Sequence, residues 1–129
     1  MLFRSPTHVP YTRRLMRANG LEQFICGMKP IGVYVNAGER KDEIFGIMVK
    51  LIRDLVDVNG AEIILPLGGA LIPYVVDPED LARETGVQVL NTKAIGIRFA
   101  EMCVAFGMTQ SALTYPKAQL KASDFMSTM

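Results

Sequence analysis

Gly60-Ala61-Glu62-Ile63-Ile64-Leu65-Pro66-Leu67-Gly68-Gly69-Ala70 is the stretch on which the fold of this sequence turns. Ile63-Ile64-Leu65 is apolar without polar alternation, the pattern of a strand covered on both faces in a parallel sheet. Gly60, three residues earlier, closes a helical pattern, so the connection is as short as those of α/β units. Leu67-Gly68-Gly69-Ala70 then reads as a glycine turn leading towards a short helical stretch.

The elements on either side extend this alternation. From Glu39 to Asn59, apolar residues fall at Ile44, Ile47, Met48, Leu51, Ile52, Leu55 and Val56, the one-face spacing of an amphipathic helix. Before it, Pro30 to Val35 is rich in β-branched residues and ends at Asn36 and Gly38, which predicts a buried strand. Tyr11 to Asn19 carries Tyr11, Leu15 and Met16 about one turn apart, with Gly20 as a left-handed stop. Downstream, Asp77 caps a short helix with Pro78 in its first turn, and Gly86 ends it. Val87 to Leu90 is a third strand. Asn91 or Thr92 caps a last helix in which Ile95, Phe99, Met102, Cys103 and Phe106 share a face before Gly107. Gln110 to Tyr115 is expected to be a short extended segment, and Lys117 to Met129 a polar tail.

The order α-β-α-β-α-β-α implies parallel strands joined by right-handed crossovers, hence an α/β fold: a three-layer sandwich with a small parallel sheet, flavodoxin-like in plan. The lobe is expected to span residues 11–116, with residues 117–129 as a tail and residues 1–10 set apart. Met1-Leu2-Phe3-Arg4-Ser5 runs into helical sequence with no opening strand, and Leu-Phe-Arg-Ser matches the translation of a common sequencing-library adapter. On that ground the start is treated as artificial and the chain as truncated.

Composition narrows the function. The chain has 129 residues, half of them apolar and 21% charged, the balance of one domain with a core and not of a disordered segment. With 14 basic against 13 acidic side chains, it lacks the positive field that drives binding to nucleic acid or an anionic membrane. No apolar run reaches the roughly 18 to 20 residues of a membrane span. The longest candidate, Ala61 to Val76, is broken by Pro66, Gly68, Gly69 and Pro73. No signal peptide is expected either, since Arg4, Pro6, His8 and Pro10 interrupt the place of its apolar core. Two isolated cysteines, Cys26 and Cys103, make neither a disulfide framework nor a zinc site, and the chain is expected to be intracellular and cytoplasmic.

In open parallel sheets ligands bind beyond the carboxyl ends of the strands, here Asn36 to Gly38, Pro66 to Ala70, and Asn91 to Thr92. At Gly68, Gly69 and Ala70, glycine permits positive φ and close approach, and the following N–H groups suit a carboxylate; the same glycines also serve a plain tight turn. Neither a dinucleotide fingerprint nor a nucleotide P-loop is present. Asn91 and Thr92 either cap their helix or offer polar groups to a ligand, and the two roles are compatible. His8, the single histidine, reads as a surface residue, and Arg13, Arg14 and Arg17 as a solvated basic edge. Cys103 falls on an apolar helix face and reads as inert core. Cys26 has no neighbour in sequence that would favour its thiolate.

Gly60 to Gly69, then Gly86-Val87-Gln88-Val89-Leu90 leading into Ala94 to Ala105, then Ser111 with Tyr115-Pro116, resembles the second half of the aspartate/glutamate/hydantoin racemase superfamily. The opening Tyr11 to Leu15, Asn19-Gly20-Leu21 and Pro30-Ile31-Gly32 resemble that family's entry into its second lobe. The resemblance implies two pseudo-symmetric lobes around a cleft, each supplying a cysteine, with one thiolate removing an α-proton and the other thiol returning one, and no cofactor or metal. Such chemistry needs two opposed acid/base groups and donors for the carbanion's oxygens. In this sequence the second-lobe cysteine falls at Gly68 when counted from Gly60-Ala61 and at Gly69 when counted from the Leu-Gly pair. No catalytic residue is therefore assigned. Gly68, Gly69 and Ala70, with Asn91 and Thr92, remain as substrate-binding candidates for a small carboxylate or hydantoin-like molecule. The expected partner is a missing first lobe or a second copy of the chain. A non-catalytic module holding a small anionic metabolite is the alternative.

Overall fold

The computed structural model describes residues 1–3, 5–33, 35–67, 71–111 and 113–114. They form β1 (Leu2–Phe3), α1 (His8–Ala18), a 3-10 turn (Glu22–Phe24), β2 (Lys29–Pro30), α2 (Lys41–Asp57), β3 (Ile63–Ile64), β4 (Pro66–Leu67), α3 (Pro78–Thr85), β5 (Gln88–Val89) and α4 (Thr92–Ala105). The protein is thus α/β with small parallel sheets. The chain divides into two compact units, Met1–Gly96 and Ile97–Met129.

In the first unit β1 is central, pairing in parallel with β2 on one side and β4 on the other. β3 pairs in parallel with β5. The Ile63–Leu67 run is shared between two neighbours. Leu90 N–H donates to Ile64 O at 3.0 Å, and Leu2 N–H donates to Leu65 O at 3.1 Å. The strand is thus bonded along both edges, but it is not covered on both faces as its apolar run predicts: Ile64 is wholly buried, whereas Ile63 is 52% exposed.

α2 supplies the largest share of the core. Ile44, Met48, Ile52 and Leu55 are wholly buried and cluster with Leu2, Ile64, Val76 and Leu81. Burying each such side chain favours the fold by about 1.5–3 kcal/mol. Ile47, Leu51 and Val56 pack half-buried at the border of the cluster. α3 lies against α2, where Arg53 donates to Glu84 Oε1 at 2.8 Å. Its ends follow the sequence rule: Asp77 Oδ1 accepts from Glu79 N–H at 2.8 Å, Pro78 opens the first turn, and Gly86 stops the helix at φ 72°.

Several expectations need correction. The sequence pattern predicts no strand before Tyr11, yet Leu2 and Phe3 are each 1% exposed within the central strand. Two apolar residues are too short a run to show a period, and only their partners at Lys29–Pro30 and Pro66–Leu67 reveal them. α1 starts at His8 and not at Tyr11. Pro10 is compatible with this because its missing N–H falls among those a first turn leaves unbonded. Tyr11 and Leu15 are exposed, so their spacing marks a solvent face, and Thr12 is the buried residue of the helix. The first predicted strand, Pro30 to Val35, overlaps β2 (Lys29–Pro30) at Pro30 alone, although Ile31 N–H still donates to Phe3 O at 2.6 Å and Ile31 and Val33 are buried. The third strand shortens to Gln88–Val89.

In the second unit, α4 continues through Ala105 and ends at Gly107, φ 62°. No residue of α4 is buried, so Ile95, Phe99 and Met102 are not core positions, and Cys103 is half-exposed. Ile97, Ala100 and Val104 place further apolar groups around the helix, which therefore has no single apolar stripe. The predicted extended segment after Gln110 contains a turn at Leu113–Thr114, whose N–H groups donate to Ser111 Oγ. Residues 117–129 of the expected tail lie outside the described residues.

Candidate functional site

Strand order locates the site. From β1 the chain crosses to β2 on one side, then returns past β1 to β4 and β5 on the other. The carboxyl ends of β1 and β4 therefore flank the point where the winding reverses, the place at which open parallel sheets bind ligands. Three described segments follow these strand ends: Ser5–Thr7 after β1, Leu71–Asp77 ahead of α3, and Leu90–Asn91 after β5.

The β1 loop is held by its hydroxyls. Ser5 Oγ and Thr7 Oγ1 lie 2.7 Å apart, and Thr7 N–H donates to Ser5 Oγ at 3.2 Å. His8 follows as the exposed first residue of α1. These residues escape a sequence reading that sets residues 1–10 apart; the serine-proline-threonine run ahead of a helix is the signal that marks them.

After β4, the predicted Gly68, Gly69 and Ala70 lie outside the described residues. The loop beyond them is anchored by Leu71, Ile72 and Val76, each no more than 5% exposed, with a cis peptide at Ile72–Pro73. Val75 and Val76 N–H groups both donate to Leu71 O. Between the buried anchors Tyr74 stands out, 70% exposed.

Asn91 caps α4, its Oδ1 accepting from Ala94 N–H at 3.0 Å while its backbone carbonyl accepts from Ile95 N–H at 3.0 Å. Asn91 and Thr92 are half-buried. Next to them Lys93 reaches the β4 loop: its Nζ donates to Tyr74 Oη at 3.1 Å and lies 4.5 Å from the ring centroid. The sequence offered no sign of this pair, because 19 residues separate the partners. On the β2 side, Val35 is exposed and Asn36 sits at φ 51°, a conformation that asparagine tolerates better than most residues.

Cys26 is elsewhere. It lies exposed between the 3-10 turn and β2, ahead of the strand's amino end, and beside Met1 it lines an apolar hollow of about 220 Å³ together with Phe24, Ile63, Leu65 and Leu90. There the Met1 amine donates to Gly27 O at 2.7 Å, and burial pushes it below its ordinary 8.0 despite the opposing pull of Cys26. Among the described residues no three His, Cys, Asp or Glu side chains gather as a metal site would require. Among them, too, no helix is long and apolar enough to cross a membrane.

No protein-family model matches this chain, and no curated protein sequence matches it. Solved structures do. The chain is similar to the crystal structure of allantoin racemase from Pseudomonas fluorescens, with a TM-score of 0.75 and 21% identity over 93% of this chain. It is also similar to allantoin racemase from Klebsiella pneumoniae, with a TM-score of 0.69 and 21% identity over 98% of this chain. The match spans 51% and 52% of those two proteins, about half their length. The fold is therefore that of one half of a racemase-type structure.

Proposed function

We propose that this chain is a racemase-type lobe that contributes the carboxyl edge of its sheet to a ligand cleft, binding a small carboxylate or hydantoin-like molecule. The observation that carries this is the likeness to two allantoin racemases over almost the whole of this chain. The cleft partner is a first lobe or a second copy of this chain. The chemistry in view is proton transfer at the carbon next to a carbonyl, run by side chains without a cofactor. The two free thiols fit a reducing compartment such as the cytoplasm.

By itself this chain is expected to be inactive. Glycine occupies both positions, 68 and 69, at which the family pattern would put a cysteine, and Cys26 lies ahead of the amino end of β2. Proton removal and return on opposite faces need two opposed groups. Deuterium uptake at the α-carbon of hydantoins and amino acids in heavy water tests this: the chain alone should give none, and neither should Gly68→Cys as a monomer, since one thiol lacks its opposite number. Exchange by the unaltered chain would refute the expected inactivity.

The position of Cys26 also favours a second reading, a binding module for a small anionic metabolite without chemistry. Calorimetry against amino acids, hydantoins and dicarboxylates tests the ligand class common to both readings. Silence across the panel would remove both.

A further inference from the structure

We infer that Tyr74 and Lys93 form a carboxylate-binding pair on the ligand edge, which selects small carboxylates over uncharged hydantoin rings. The assignment rests on the proposal that this edge binds a small ligand, and it chooses between the two ligand classes named there.

The argument begins with charge. Arg13, Arg17, Arg40, Arg53, Arg83, Arg98 and Lys29 each face a carboxylate, whereas Arg14, Lys41, Lys50 and Lys93 make no ion pair among the described residues, and of these four Lys93 is the one that follows a strand's carboxyl end. Among the described residues no carboxylate faces Lys93; its partner is the phenol oxygen of Tyr74. Among the described residues no acidic group thus offsets the ammonium where it meets Tyr74. An ammonium has three N–H donors, and one of them is spent on Tyr74. The tyrosine oxygen accepts that bond, so its own O–H is left to donate outward, polarised by the lysine behind it. The pair therefore presents N–H and O–H donors and one positive charge. The matching ligand is an anion with two oxygens, and a carboxylate accepts from both groups at once.

Both side chains are held in place. Tyr74 lies between the buried anchors Ile72 and Val76. Lys93 belongs to the turn capped by Asn91 and is steadied by the ring it covers. Position agrees with this, since Tyr74 follows the end of β4 and Lys93 follows the end of β5. A clasp that merely ties the β4 loop to α4 would show the same contact, so the test must separate binding from stability.

Amide chemical shifts of the 129-residue chain are followed during titration with N-carbamoylglycine, with hydantoin and sodium chloride as comparators at constant ionic strength. N-carbamoylglycine is expected to saturate, with its largest shifts at residues 74 and 93. Lys93→Met should weaken it about tenfold or more, and Tyr74→Phe, which keeps the ring, about fivefold. Lys93→Arg should retain most of the affinity. Unchanged affinity in Lys93→Met, with or without a lower melting temperature, overturns the pair and leaves the ligand edge standing. Equal shifts with chloride, or tighter binding of hydantoin, also overturn it. Failure of N-carbamoylglycine and hydantoin alike removes both the pair and the ligand-binding edge on which it rests.

Discussion

At Gly27 the backbone passes so close to α2 that a Cβ would lie 2.5 Å from Leu55 Cδ2 and 3.2 Å from Asn59 Oδ1. Leu55 is wholly buried within the core cluster, so its displacement would disturb neighbouring side chains. Gly27→Ala is therefore expected to destabilise the protein by about 1–3 kcal/mol in chemical denaturation, the usual cost of overpacking. Glu22 shows the opposite, a contact made through charge. Arg17 donates to its two carboxylate oxygens at 2.6 and 2.9 Å, and this bonding holds Glu22 below its ordinary 4.5, while partial desolvation works the other way. A carboxyl whose folded value is depressed stabilises above its unfolded value and loses that stabilisation as pH falls through the folded one. The corner between α1 and the 3-10 turn should thus loosen as pH drops below 4.5. A carbon-detected titration of Glu22 should show a depressed midpoint that Arg17→Ala brings back towards the ordinary value.

Among the elements, those with a local cause were legible and those with a distant cause were not. α2 announced itself because each apolar residue repeats on one face, and α3 because Asp77, Pro78 and Gly86 mark its ends chemically. Asp77→Ala should cost about 0.5–2 kcal/mol in thermal unfolding, as the Glu79 N–H loses its acceptor. β1 stayed hidden because two residues carry no period and its partners lie far along the chain. α4 was legible as a helix but not in its burial, since apolar residues surround it and the pattern cannot say which of them meets a neighbour. The candidate site divides in the same way. Asn91 was visible as a cap, whereas the Tyr74–Lys93 contact exists only once two strand ends stand side by side.

For the molecule as a whole, β1 matters more than its two residues suggest. Phe3 is 1% exposed, and Phe3→Ala should cost about 3–5 kcal/mol, the range for large buried side chains. If β1 belongs to the sheet, hydrogen exchange in that variant should quicken at Ile31, whose N–H bonds to Phe3 O, and throughout the strands; loss of protection confined to α1 would contradict the topology. Central position also has a consequence for biosynthesis. Leu2 pairs with Pro66, more than sixty residues later, so a growing chain emerging from the ribosome carries an apolar strand with at least one edge open until both sides of the sheet have been made. During that interval Leu2 and Phe3 are open to chaperones and to other nascent chains, and slowing translation before Pro66 should lower the soluble yield more than slowing it afterwards.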